Sequence, residues 1–205
     1  MKKIILSAAM LLAIGFTAKA QETKLGVKAG VNFANFTGDV EGSKSRTGFN
    51  AGFVAEFKLS ENFSIQPELL YSQQGTRFEE SGSVSGISYR LEEKGKFDYL
   101  ALPVVAKYYI IEGLSLHAGP QVSYLLKADV ESTGSASTGE SYSETLDLKD
   151  YSNKVDFALV GGAGYDLPIG VFFEARYVAG ISKIGKDGDS KVRNGVFQLS
   201  VGYKF

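Results

Sequence analysis

The chain has 205 residues, with 22 Lys plus Arg against 23 Asp plus Glu and no cysteine, which excludes a disulfide-stapled fold and argues against a nucleic-acid binder. Its 24 glycines, 11 tyrosines and 14 phenylalanines, with no helical periodicity beyond the N-terminus, point to an all-β chain. Met1-Lys2-Lys3, the apolar run from Ile4 to Phe16 and Ala18-Lys19-Ala20 predict a cleavable export signal over residues 1–20, with residues 21–205 as one domain. The apolar run is too short for a helix that spans a bilayer. Loss of Lys2, Lys3 and Lys19 leaves 19 bases against 23 acids, a mature charge near -4.

Eight strands are predicted in chain order. The first, about residues 24–35, puts Leu25, Val27, Ala29, Val31 and Phe33 on one face and Gly26, Lys28, Gly30 and Asn32 on the other. The second, 47–59, sets Phe49, Ala51, Phe53, Ala55 and Phe57 against Asn50 and Glu56. The third sets Phe63, Ile65, Pro67, Leu69 and Tyr71 against Gln66 and Glu68. The fourth, 97–110, carries Leu100, Leu102, Val104, Ala106 and Tyr108 opposite Lys107. In the fifth, Leu114 to Leu126 alternates with Ser115, His117 and Gln121. The sixth shows Phe157, Leu159, Ala163 and Tyr165 on one face; the seventh sets Val171, Phe173, Ala175, Tyr177 and Ile181 against Glu174 and Arg176. The eighth alternates from Phe197 through Tyr203 to Phe205, with Lys204 on its polar face.

The connections alternate in length: short near residues 60, 112 and 168, long near 40, 86, 141 and 188. That asymmetry predicts an eight-stranded antiparallel up-and-down transmembrane β-barrel with short periplasmic turns and long external loops. Parity alone fits a soluble barrel with its apolar face inward as well as a membrane barrel with that face outward. Two features favour lipid. The apolar faces are almost free of charge, and aromatics gather at the strand ends: Phe33, Phe49, Tyr71, Tyr124, Phe157 and Phe197 at one rim, Phe57, Phe63, Tyr108, Tyr165, Tyr203 and Phe205 at the other. The polar face then lines a packed interior in which Lys28, Glu56, Glu68, Lys107, His117, Glu174, Arg176 and Lys204 form a structural network, with Asp156 on the same face.

Pro67, Pro103 and Pro120 fall mid-strand in consecutive strands, which predicts a bulge or weak seam there. No catalytic, cofactor or metal site is expected. His117, the sole histidine, reads as a satisfied interior side chain, and Asp187-Gly188-Asp189-Ser190 as a Gly-Asp turn rather than a calcium loop. The glycines around Gly161-Gly162-Ala163-Gly164 read as close packing within a strand. Of the long connections, the third, residues 128–154, carries six acids against Lys149 and Lys154, and its composition suggests mobility. The fourth is basic through Lys183, Lys186, Lys191 and Arg193, so charge draws it toward the third or toward lipopolysaccharide phosphates.

Three stretches carry a family resemblance: Lys24 to Asn32, Tyr99 to Tyr108 with its Leu-Pro-Val-Val-Ala core, and Val201-Gly202-Tyr203-Lys204-Phe205. In them the mature chain resembles the small outer-membrane β-barrel domain of Bacteroidota, the porin family of OmpA- and OmpX-like architecture with PorT-like relatives. The resemblance implies an outer-membrane location and recognition of Tyr203 and Phe205 by the barrel-assembly machinery. Eight strands enclose an interior that side chains fill, so a wide pore is not expected. The expected function is a non-enzymatic structural or surface-interaction role through the external loops. The partners expected are outer-membrane lipid, the assembly machinery and a surface ligand or secretion component; no nucleic acid is expected, and the chain reads as a monomer. An accessory barrel for secretion or transport and, further off, a soluble exported lipocalin-like binder are the alternatives.

Overall fold

A computed structural model of the chain describes residues 22–40, 42–84, 86–186 and 191–205. The predicted export signal and the turn Asp187-Gly188-Asp189-Ser190 lie outside these residues. The described residues form nine strands: β1 (Glu22–Thr37), β2 (Lys44–Lys58), β3 (Phe63–Val84), β4 (Ile87–Tyr109), β5 (Leu114–Ala136), β6 (Ser141–Asp147), β7 (Val155–Asp166), β8 (Val171–Gly180) and β9 (Arg193–Lys204).

Every pairing is antiparallel, and eight strands close into a ring in chain order. The seam between the chain ends is β1 with β9, from Gly26↔Lys204 to Thr37↔Arg193. β4 pairs with β5 from Tyr89↔Ala136 to Tyr109↔Ser115, and β5 passes directly to β7. The ninth strand, β6, stays outside the ring and pairs with the far end of β5, from Asp129↔Asp147 to Ser135↔Ser141. Closure pairs every ring strand on both edges, which removes the free edges an open sheet would expose to lipid.

At the short ends the chain reverses through residues 59–62, 110–113 and 167–170. Gly113 and Gly170 hold φ values of 80° and 89° there, a left-handed turn conformation that a side chain disfavours. The opposite end departs from expectation. The stretch between residues 72 and 97 is not a loop but a continuation of β3 and β4, paired without interruption from Ser72↔Tyr99 to Val84↔Ile87. The third connection likewise holds the paired end of β5 and all of β6, which corrects the expectation of a mobile loop. β3, β4 and β5 therefore reach 22, 23 and 23 residues against 10 for β8.

Within the ring the alternation has the sense a membrane requires. Phe53, Phe173 and Leu199, which a soluble barrel would hide in its cavity, lie on the outer surface and are 66%, 50% and 45% exposed. On β5 the outer apolar positions run from Leu116 to Leu126, about 33 Å along the strand and about 25 Å in height at the roughly 40° tilt of such barrels, the thickness of an outer-membrane apolar band. Aromatic pairs mark the external rim, Phe33 with Phe197 and Phe49 with Tyr71, at ring-centroid separations of 6.4 and 5.5 Å.

The prolines act more simply than a bulge. Each interrupts the ladder toward one neighbour and leaves the register unshifted. Pro67 pairs with Val104 on β4, while the β2–β3 ladder skips from Val54↔Glu68 to Phe57↔Ile65. Pro103 pairs with Gln121, while β3–β4 skips from Pro67↔Val104 to Leu70↔Ala101. Pro120 pairs with Leu159, while β4–β5 skips from Pro103↔Gln121 to Ala106↔Ala118. A residue in an antiparallel strand turns its N–H to one side only, so losing that donor weakens a single ladder. The register shifts lie elsewhere, between Ser45 and Asn50 of β2 and between Asp98 and Tyr99 of β4, both at the external rim.

Candidate functional site

Two regions compete for the role of functional site: the barrel interior and the sheet that stands beyond the external rim. The interior is built in layers. At its periplasmic end, Lys204 Nζ lies 2.5 Å from Glu56 Oε2 and 2.8 Å from Asp166 Oδ2. Lys107 Nζ reaches the same carboxylates at 3.7 and 3.4 Å. The Tyr109 hydroxyl lies 2.5 Å from Glu56 and 2.7 Å from Asp166, and with one proton it donates to one carboxylate at a time. Ser64 donates to Glu56 as well, at 2.6 Å. Lys204 also sits 4.6 Å from the centroid of the Phe172 ring, a cation–π contact.

Above it comes a second balanced set. Lys28 Nζ bridges Glu174 Oε2 at 2.7 Å and Glu68 Oε2 at 2.8 Å, and Arg176 Nη1 donates to Glu68 Oε2 at 2.9 Å. Gln198 accepts from Arg176 Nε at 2.7 Å, and Gln66 donates to Glu68 and Glu174 at 2.8 and 3.2 Å. Each set holds two cations and two carboxylates, so no net charge is buried. A neutral amide layer follows. Asn32 Oδ1 accepts from Asn50 at 2.6 Å and from Gln198 at 2.9 Å, and Asn32 Nδ2 donates to Ser72 at 3.0 Å.

The layer nearest the external rim is apolar, which the alternation of the strands did not announce. Ala34, Val105, Ala158, Val160, Val178 and Val196 pack together inside the wall. Phe97, Tyr99, Leu125, Ala128 and Ile184 pack above them, with Phe36, Leu148 and Val192 against their edge. Ile184 and Val192 come from the described ends of the fourth connection, which pack over the mouth. This connection is tied to the third chiefly through the backbone. Asn153 Nδ2 donates to the carbonyls of Lys183 and Gly185 at 2.9 and 3.0 Å, and Lys186 Nζ to that of Asp150. The two connections do meet, as their opposite charges suggested, yet carbonyls accept where carboxylates were expected to. The periplasmic end stays open, as a vestibule of about 1090 Å³ with Glu56, Tyr109, Asp166 and Lys204 at its floor and Ile111, Ile169 and Phe205 at its edge.

Seven of the eight interior residues singled out from the sequence meet in these two ionic sets: Lys28, Glu68, Glu174 and Arg176 in one, Glu56, Lys107 and Lys204 in the other. His117 joins neither. It is buried, 3% exposed, and neither ring nitrogen has a hydrogen-bond partner among the described residues, which corrects its reading as a satisfied side chain. Asp156 is buried too, with Oδ1 unpartnered. Sequence reasoning missed Tyr109 and Asp166. Both sit at strand ends, where the alternation runs out into a turn, and only the shared polar parity of Lys107 and Tyr109 signals the first. Tyr203 and Phe205 lie on the lipid side, 48% and 71% exposed, and the Phe205 amide closes the seam by donating to the Leu25 carbonyl at 2.8 Å.

The second region is the four-stranded sheet formed beyond the rim by the long ends of β3, β4 and β5 together with β6. Its outward face, continuous with the lipid face below, is ionic. Lys44 and Arg77 meet Glu79 at 2.7 and 3.3 Å, Lys94 meets Glu92 at 3.1 Å, Lys127 meets Asp129 at 2.5 Å, and Lys96 meets Glu131. Hydrogen bonds from Lys44 and Lys96 hold the Glu79 and Glu131 carboxyls below the usual range. Its inward face, continuous with the lumen wall, carries Phe78, Tyr89, Leu91, Val130, Tyr142 and Leu146.

A closed ring of lipid-facing strands, an interior ordered in ionic, amide and apolar layers, and a seam between the first and last strands describe an outer-membrane barrel. Among solved structures, Ail, the attachment invasion locus protein of Yersinia pestis, is 19% identical, with 90% of this chain and 99% of that one covered and a TM-score of 0.50. Neisserial surface protein A is 16% identical over 90% and 99% of the two chains, with a TM-score of 0.45. The N-terminal barrel domain of Pseudomonas aeruginosa OprF is 11% identical over 90% and 100%, with a TM-score of 0.38. Among curated proteins, none matches the chain by sequence. The family model described as outer membrane protein beta-barrel domain matches residues 19–185, most of the chain, and the protein therefore belongs to that outer-membrane family.

Proposed function

We propose that this protein is a non-enzymatic surface-interaction barrel whose working part is the external sheet of β3, β4, β5 and β6. One observation carries the reading. The lumen is closed by paired charges and an apolar seal, whereas the longest strands extend well past the rim into a sheet left uncovered. Seven of the eight interior residues, together with Asp166, then serve structure, neutralising one another so that a narrow polar core fits inside a lipid-facing wall. A hydrolase reading lacks support, since His117 has neither a serine nor a carboxylate within hydrogen-bonding reach. Export by a signal over residues 1–20, assembly through Tyr203 and Phe205, and a monomeric state belong to the same proposal. The fold shared with Ail, which has been crystallised with the heparin analogue sucrose octasulfate, is compatible with a ligand held at the surface.

The test shortens the sheet while sparing the barrel. Replacing residues 79–92 by Asn-Gly closes the hairpin at the Phe78↔Glu93 pair, and replacing 132–144 by Asn-Gly closes the next at Glu131↔Thr145. The shortened protein is expected to keep its heat-shifted band and its outer-membrane location while cells lose attachment to host-like or neighbouring surfaces. In planar bilayers the intact protein is expected to show no wide-pore conductance. Stable large conductance, or attachment unchanged by shortening, would overturn the proposal. Loss of secreted cargo in a deletion strain with an intact envelope would move the function to the PorT-like secretion reading.

A further inference from the structure

The two faces of the external sheet differ in how their charges are compensated. On the outward face Glu79, Glu92, Asp129 and Glu131 each lie within 4 Å of a lysine or arginine. On the inward face the registers align Glu80, Leu91, Gly134 and Tyr142 in one row, Phe78, Glu93, Ser132 and Glu144 in the next, and Val130 and Leu146 in a third. No lysine or arginine stands on that face between Phe78 and Gly82, Ile87 and Gly95, Val130 and Ala136, or Tyr142 and Leu146. Glu80, Glu93 and Glu144 are exposed there and pair with no cation among the described residues, Glu80 meeting instead the Tyr89 hydroxyl at 3.4 Å.

Between these carboxylates lies a built aromatic surface. A Cβ on Gly134 would fall 2.1 Å from Tyr142 Cε1 and 3.1 Å from Leu91 Cδ2, so the Tyr142 ring crosses the glycine toward Leu91. A Cβ on Gly82 would fall 2.6 Å from the Tyr89 hydroxyl. Each tyrosine thus lies across a glycine of the neighbouring strand, which fixes its ring while leaving one face free. Tyr142 and Leu146 remain 54% and 59% exposed. Lower on the same face, Ile184 already covers Phe97 and Ala128, so the chain itself uses this surface to bury apolar groups and stops short of its upper part.

We propose that the inward face of the sheet docks a cationic amphipathic peptide segment of a partner protein, one with Lys or Arg side chains spaced among apolar residues. The apolar side chains would cover Leu91, Val130, Tyr142 and Leu146, and the cations would meet Glu80, Glu93 and Glu144 or lie over the two tyrosine rings. Charge selects this occupant. An anionic glycan or lipid headgroup meets only like charge on this face. A second copy that presented the same face by two-fold symmetry would oppose acids with acids. The inference rests on the surface role proposed above and gives it a partner class.

The experiment uses the full folded chain in nanodiscs of zwitterionic phosphatidylcholine, which give a cationic probe no lipid charge to bind. Fluorescence anisotropy measures a short labelled peptide of alternating Lys and Leu, against the same peptide with Glu for Lys. Only the cationic peptide is expected to bind, more weakly as salt rises. The Glu80→Gln/Glu93→Gln/Glu144→Gln variant should lose at least about tenfold in affinity. Tyr142→Ser should weaken binding with its salt dependence retained, and Lys94→Gln/Lys96→Gln on the outward face should bind as the parent does. These substitutions lie outside the membrane, and the heat-shifted band verifies folding of each. Equal binding by the triple variant, preference for the Glu peptide or a sulfated sugar, or sedimentation as a dimer through this face would overturn the inference. If the cationic peptide fails to bind while shortening the sheet still abolishes attachment, the partner class falls and the surface role stands; if shortening has no effect, the role itself falls.

Discussion

The membrane-embedded barrel and the external sheet are made from the same strands, yet their faces are reversed. Below the rim β4 turns Leu100, Leu102 and Val104 outward and Lys107 inward; above it, the same strand turns Lys94 and Lys96 outward and Leu91 and Phe97 inward. β5 makes the same exchange across a register shift at the rim, from Leu116 and Val122 outward to Lys127 and Asp129 outward. The pleat fixes only that neighbours alternate. What lies outside decides which set is apolar: lipid for one half, water for the other. A strand can therefore pass through the interface without a break if its chemistry inverts there.

That contrast can be broken at several points. The largest effect is expected inside the barrel. Glu68→Ala removes the carboxylate shared by Lys28 and Arg176, and stranding those buried cations should cost about 3–5 kcal/mol, read as a lower urea midpoint for the heat-shifted band. Glu68→Gln, which keeps the shape, separates lost charge from lost packing.

Next comes a matched pair of arginines. Leu199→Arg places a cation on the lipid face near mid-strand and should destabilise the barrel by about 2–4 kcal/mol. Thr133→Arg on the outward face of the external sheet should stay within about 0.5 kcal/mol, because that surface is already ionic. Equal costs at the two sites in a vesicle unfolding assay would mean that the rim is misplaced.

The smallest effect concerns pH. Glu79 and Glu131 have carboxyls held low by hydrogen bonds from Lys44 and Lys96. The stability they contribute is complete above the ordinary glutamate value and disappears as pH falls through the lowered one. Acidification to about pH 3 should therefore loosen the sheet slightly, read as faster proteolysis between residues 77 and 96, while the barrel stays heat-shifted. Loosening on the alkaline side instead would contradict the sign.

How much of this was legible in the sequence depended on which rule each stretch obeyed. Wherever the outside is lipid, uninterrupted apolar alternation predicted the strand, its inner and outer faces and the girdles, as in Phe197 to Phe205. The ends of β3 and β4 escaped because Thr76 to Lys96 looks like loop by composition. Its alternation is present, in Phe78, Tyr89 and Leu91, but weak and of the opposite sense. Lys28, Glu68, Glu174 and Arg176 were legible as inward charges, yet their pairing was not, because Lys28 on β1, Glu68 on β3 and the two residues of β8 are distant in sequence and meet only across the lumen.

By itself, the sequence determined eight strands, their up-and-down order and which residues of each share a face, since period-two alternation and connection length are local properties; the charge-free apolar faces and the aromatics at the strand ends then pointed those faces to lipid. Only the tertiary structure decided which charges share a carboxylate, that an apolar plug seals the external mouth, and that β6 joins β5 to complete a sheet beyond the membrane. Those outcomes depend on register between strands distant in sequence, and a one-residue slip would turn every one of those side chains to the other face.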